Sequence, residues 1–216
     1  MLRGVIFDLD GTLGDTLPVC YRAFASVFRR RLGRVFSAAE IHAMFGPSEE
    51  GILRRLCPED PGAALEEYLT AYRSAHARCP APFGGIRSCL ELLGRRGLEL
   101  AVVTGKGPRS AAISLGVFNL SGLFPVVEAG SPDGGVKPAA MGRVLGRWGF
   151  DPGDVVGVGD SPADIRSARA AGIASAAAAW APGASPADLA RCGPDWLFRD
   201  VAAFRGWLES GPRLRR

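Results

Sequence analysis

The run GVIFDLDGTLGDT, residues 4–16, carries an apolar stretch straight into Asp8 and Asp10, with Asp15 close behind. Carboxylates are costly to desolvate, so two of them at the mouth of a buried strand require a reason. Such a pair can hold a cation, attack an electrophile or move a proton. A calcium loop fits poorly, because an EF-hand puts its Gly sixth, whereas Gly11 comes fourth counting from Asp8. Related groups follow other apolar runs: Thr104-Gly105-Lys106 after LELAVV, Lys137-Pro138 after the loop beyond PVVE, and Asp160-Ser161-Pro162-Ala163-Asp164 after DVVGVG. Together these residue types suit phosphoryl transfer. Mg²⁺ prefers oxygen ligands and keeps several waters, so Asp8 and Asp160, helped by the Asp10 main-chain carbonyl, suffice to hold it. A carboxylate can also act as nucleophile and form an aspartyl-phosphate. Four acids beside a phosphate dianion repel one another, and Mg²⁺ with Lys137 supplies the balancing charge. Thr104 offers a donor to a phosphoryl oxygen, and backbone N–H groups of the glycine loops, Gly105 included, offer more.

These residues must be brought together by the elements that precede them. Residues 4–9 read as a buried strand, as do 98–103, 125–128, 154–159 and 173–179, with DWLF extended near the end. Between them, 86–96, 108–115, 138–148, 162–171, 186–191 and 201–208 read as helices. That alternation predicts an α/β fold with a doubly wound parallel sheet, in which ligands sit outside the carboxyl ends of the strands. One stretch breaks the pattern. Leu17, Tyr21, Phe24, Phe28 and Leu32 recur at helical spacing behind a cap at Asp15 or Thr16, and SAAE at 37–40 is a capping box. Ser48 restarts a short helix, and Pro61 opens another carrying Leu65, Tyr68, Leu69 and Tyr72. Residues 16–80 therefore read as a small all-helical domain inserted after the first strand. Residues 1–15 and 81–216 read as the α/β core domain that carries the candidate catalytic residues.

The bulk composition excludes several classes. At 216 residues, with 47% apolar and 22% charged residues, the chain suits a globular core with an insertion. No apolar run reaches the ~18–20 residues of a membrane span. Arg3 followed by a core strand does not read as a cleavable signal. Five scattered cysteines without a CxxC pair argue against a disulfide framework or zinc site, so reduced thiols and a cytoplasmic location are expected. The net charge of +4 is dispersed apart from FRRRLGR and the tail PRLRR, which read as a solvated helix face and a chain end rather than a nucleic-acid surface. His42 and His76 read as surface or packing residues, Ser161 and Asp15 as helix caps, and the four tryptophans as core or partly buried anchors.

DLDGT, Thr104 at a strand end, Lys137 before Pro138, and GDSPAD resemble, in order, the four motifs of the haloacid dehalogenase-like hydrolase superfamily. The resemblance spans residues 8–164 and implies a Rossmann-like core. It implies Asp8 as nucleophile and Asp10 as general acid toward the leaving oxygen, then base toward water. It implies Thr104 and Lys137 on the phosphoryl group, and Mg²⁺ at Asp8, Asp10 and Asp160, supported by Asp164. An acid two residues after the nucleophile is similar to the family's phosphatases and mutases; its dehalogenases carry tyrosine there and its phosphonatases alanine. The inserted helices resemble the caps that close over small substrates, implying a small phosphorylated metabolite. No nucleic-acid or membrane partner is expected, and the protein is expected to be a monomer or homodimer. Within the family the chain is most similar to the phosphoglycolate phosphatase-like branch, although Gly105 departs from that branch's Thr-Asn-Lys, and Gly14 and Thr16 depart from its usual apolar residue and Ser. FGPSEEGILRR falls where the family's cap lowers a substrate-reading loop, making Arg54 and Arg55 candidates for a substrate carboxylate or second phosphate. Phosphoglycolate is the first substrate expected, then pyrophosphate and nucleoside monophosphates. A β-phosphoglucomutase-like mutase, a pyrophosphatase or a 5′-nucleotidase remain alternatives on the same fold, as does an idle binding protein.

Overall fold

Strand β1 (Gly4–Phe7) is buried along its whole length in the computed structural model, which describes residues 2–212 and 214. It pairs in parallel with β2 (Glu99–Val103) on one side and β4 (Val155–Gly159) on the other. Beyond β2 lies β3 (Val126–Glu128); beyond β4 lie β5 (Ala174–Ala178) and β6 (Trp196–Phe198). The six-stranded order is β3-β2-β1-β4-β5-β6. Chain progression therefore reverses between β1 and β4, and a crevice opens at their carboxyl ends, where Asp8 and Asp160 follow.

Both faces of the sheet are covered, which is why its strands are so rich in Val, Ile and Ala. Val5, Phe7, Val102, Val156 and Val158 pack on one side with α5 (Ile86–Arg95), α6 (Pro108–Val117) and α10 (Val201–Glu209). Ile6, Ala101, Val103 and Val155 face α7 (Lys137–Trp148) and α8 (Pro162–Ala170) on the other. Helix α9 (Pro186–Arg191) packs Leu189 against Ile165 and Ala177. The strand expected over 4–9 stops at Phe7 because the chain turns at once: Leu13 N–H donates to Leu9 O, and Gly11 N–H to Gly14 O.

Helices α1 (Leu17–Leu32), α2 (Ala38–His42), α3 (Glu49–Leu56) and α4 (Pro61–Ala75) follow β1 and share an apolar cluster of their own. Phe24, Phe28, Tyr68 and Tyr72 are fully buried there, with the Phe24 and Tyr68 rings 4.5 Å apart. Each such side chain contributes roughly 1.5–3 kcal/mol by leaving water, enough to hold short helices whose own propensity is modest. The ends are set locally. Ser37 and Glu40 form the expected capping box, and the Asp60 carboxylate accepts from the Ala63 N–H at 3.0 Å.

Candidate active site

The first turn after β1 is shaped to admit an acid from the neighbouring strand. Gly11 has φ +80°, and a Cβ there would stand 2.0 Å from Asp160 Oδ2. Only glycine accepts both that backbone and that approach. Asp160 comes from the end of β4, and Asp164 from the first turn of α8. Asp164 serves two ends at once. Its Oδ2 accepts from the Ser161 N–H at 3.0 Å and the Ser161 hydroxyl at 2.6 Å, closing a capping box, while Oδ1 accepts from Lys137. The Lys137 ammonium also donates to Asp8 Oδ1 at 2.7 Å, so it bridges the acids of β1 and α8.

Asp8, Asp160 and Asp164 each bring a carboxylate oxygen within 4.8 Å of the others. Burial pushes Asp8 up to about 7, with Asp164 and Asp10 adding repulsion and Lys137 pulling the other way. Asp160 rises to about 8, through burial and then repulsion by Asp8 and Asp164. Burial alone would lower Lys137, but Asp164 and Asp8 overcome it and the net shift is upward. One ammonium among three close acids leaves the cluster over-negative, and an oxygen-only donor set of this kind suits a hard divalent cation such as Mg²⁺.

The Asp10 side chain stands outside this cluster. Its Oδ1 accepts from the Thr16 hydroxyl and lies 3.2 Å from Lys106 Nζ. Thr104 is buried one residue behind the wall, where its hydroxyl accepts from the Lys106 N–H at 3.2 Å; Gly105 and Lys106 line the cavity itself. That cavity, of about 890 Å³, spans from the acids to the apolar side chains Leu17, Phe24, Phe45 and Ile52 of the inserted helices and their connecting loop. His42 lies on its wall, its Nδ1 2.9 Å from the Tyr21 hydroxyl, whereas His76 is buried in packing against Ser114 and the Cys79 carbonyl.

Arg54 pairs with Asp133 at 2.9 Å on the exposed surface, and neither it nor Arg55 lines the cavity. Three residues to which sequence reasoning gave no role at the site surround Asp10 or the lysine that contacts it. Thr16, read as a helix cap, makes no cap bond and gives its hydroxyl to Asp10 instead. Lys106 and Glu49 are both buried and lie 3.4 Å apart. A lysine directly after the Thr-Gly strand end was the available signal for Lys106; nothing local in the sequence marks Glu49.

Residues 5–178 match the haloacid dehalogenase-like hydrolase family. Phosphoglycolate phosphatase 1 of Pseudomonas aeruginosa is 32% identical over 188 residues, 81% of this chain and 68% of that protein. Pyrophosphatase PpaX of Halalkalibacterium halodurans is 28% identical, with 83% of this chain and 85% of that protein aligned. A haloacid dehalogenase-like family hydrolase from Streptococcus pneumoniae superposes with a TM-score of 0.76 at 25% identity, covering 96% of this chain and 98% of that one.

Proposed function

The chain belongs to the haloacid dehalogenase-like hydrolase family and is a phosphatase, and from that premise we propose that it hydrolyses a small phosphorylated metabolite through an aspartyl-phosphate, with Mg²⁺. One observation carries this reading: three carboxylates within 4.8 Å of one another, two of them (Asp8 and Asp164) bridged by Lys137, in a cavity that extends to the apolar side chains Leu17, Phe24, Phe45 and Ile52. In this mechanism Asp8 attacks phosphorus and the bond to the leaving oxygen breaks. Asp10 gives that oxygen a proton, then takes one from the water that cleaves the aspartyl-phosphate. Lys137 balances charge on the phosphoryl oxygens, with the Gly105 N–H as donor; Thr104, expected as a second donor, would reach a phosphoryl oxygen only if that oxygen entered past the cavity wall. Asp8, Asp160 and Asp164, with the main chain at Asp10, would hold Mg²⁺. The bound ion would supply charge neutralisation that lets a phosphate dianion approach the acids.

Residues 16–80 act in this reading as a cap domain that excludes water from the core domain of 1–15 and 81–216. Phosphoglycolate and pyrophosphate are the first substrates to try, because relatives carry those names. The test is phosphate release from a panel of small phosphate compounds, with Mg²⁺ and with EDTA, for wild type and Asp8→Asn. Release that requires Mg²⁺ and falls by on the order of 10⁴-fold or more in the variant is expected, as for loss of a catalytic nucleophile. Isomerised product in place of free phosphate would reassign the chain as a mutase.

A further inference from the structure

Asp10 is held by one of its two oxygens. The Thr16 hydroxyl, Lys106 Nζ at 3.2 Å and the Cys20 thiol at 3.9 Å all converge on Oδ1. Oδ2 is thereby the oxygen that can carry a proton. The charged one of the three holders, Lys106, is itself enclosed, with 2% of its side chain exposed. Its ammonium lies 3.0 Å from Cys20 Sγ, 3.4 Å from Glu49 Oε1 and 4.6 Å from the Tyr72 ring centroid. A buried ammonium has little freedom to wander, since leaving its carboxylates would strand three charges.

Glu49 comes from a different part of the chain. It opens α3, among the inserted helices, yet its carboxylate sits on the first turn of α6. There it accepts from the Gly107 N–H at 2.5 Å and the Ser110 hydroxyl at 2.7 Å. An anion at that end of a ten-residue helix is favoured by the dipole. Gly107 makes room for it, since a Cβ would lie 2.8 Å from Glu49 Oε2 and 2.4 Å from Glu50 Oε2. The inserted helices thus reach Asp10 through a chain of two contacts, Glu49 to Lys106 and Lys106 to Asp10.

We propose that Lys106 is a positioning residue, clamped between Glu49 and Asp10, that aims Asp10 at the leaving oxygen only while Glu49 is seated on α6. The inference rests on the reading of Asp10 as the proton carrier. In the step concerned, the bond from Asp8 oxygen to phosphorus forms, the bond from phosphorus to the leaving oxygen breaks, and the Asp10 proton moves to that oxygen.

The test is the leaving group. Phenyl phosphate releases a phenol of pKa about 10 and needs that proton, whereas 2,4-dinitrophenyl phosphate releases a strongly acidic phenol and does not. The constant to compare is kcat/KM, which reports events through formation of the aspartyl-phosphate. Lys106→Met and Asp10→Asn should both lose at least ~100-fold on phenyl phosphate, and at least ~10-fold less than that on the dinitrophenyl ester. Glu49→Gln should show the same bias at smaller size, although Gln still accepts from Gly107 and Ser110. A merely structural lysine would lower both esters alike. Equal losses in Lys106→Met alongside a biased Asp10→Asn overturn this inference; an unbiased Asp10→Asn overturns the reading beneath it. Glu49→Gln at wild-type rates on both esters overturns the link to α3. If Lys106→Met does not fold, Lys106→Met/Glu49→Gln removes the stranded charge, and it must show the same bias.

Discussion

Gly11→Ala separates backbone strain from intrusion into the acid cluster. An alanine at φ +80° costs ~1–2 kcal/mol through its Cβ and the following carbonyl. The same Cβ would stand 2.0 Å from Asp160 Oδ2 and 2.5 Å from its Cγ, so the Asp160 side chain must move. Overpacking of that kind adds about 1–3 kcal/mol. For a chain of this size the combined loss of ~2–5 kcal/mol lowers Tm by roughly 4–20 °C. Displaced, Asp160 would leave Asp8 and Asp164 to hold the cation, and the Mg²⁺ concentration for half-maximal activity should rise ~10–100-fold, as when a site's supporting contacts are lost. Thermal unfolding and Mg²⁺ titration of phosphate release measure the two effects. The same substitution in an Asp160→Ala background isolates the cause, because the clash partner is gone and only the ~1–2 kcal/mol of backbone strain should remain. If Gly11→Ala costs as much without Asp160 as with it, the acid does not occupy the space that the glycine vacates.

Added Mg²⁺ should raise Tm more at pH 8 than at pH 6. Asp8 and Asp160 titrate above the ordinary 3.8, near 7 and 8. The folded state therefore holds extra protons between about pH 4 and 8, and metal-free stability falls as pH rises through that window. A cation relieves the cost once the protons have left, so an equal Tm gain at both pH values would contradict this. His76 acts in the opposite sense. Burial holds it below its ordinary 6.5, so the unfolded chain takes the proton first and stability is lost as pH falls through 6.5. His76→Gln should flatten that acid slope in denaturant titrations between pH 7 and 5. Arg54→Ala removes an exposed pair with Asp133 and should change stability by no more than ~1 kcal/mol. Its KM should stay within about threefold, because Arg54 lies outside the cavity; a larger rise would bring Arg54 back to the substrate.

The core was legible because its signals are local. An apolar strand running into Asp8, another into Thr104 and a third into Asp160 each declare an element and a candidate site residue in the same few positions. Parallel pairing then brings the strand ends together without further information, as with Gly4–Phe7 between Glu99–Val102 and Val155–Val158. Pairing order was less legible, since periodicity states that a strand exists and not which neighbour it takes. Element ends shifted by a residue or two where turns compete with the ladder, as at Phe7.

The second layer around Asp10 was hidden for a physical reason. Thr16 sits where an N-cap belongs, and local rules assign a threonine there to its own helix. The fold overrules them because a buried-side carboxylate six residues earlier is the stronger acceptor, and a charge-assisted bond outweighs a neutral cap. Glu49 is a sharper case. Among the first residues of a short helix it reads as an ordinary first-turn acid that favours its own dipole. It serves another helix instead, since Gly107, 58 positions later, lacks the side chain that would exclude it. Such a pairing carries information only when the two segments are already in contact. The residues proposed for the chemistry can be read from the sequence, while those that hold them in place belong to the packing of one layer on another.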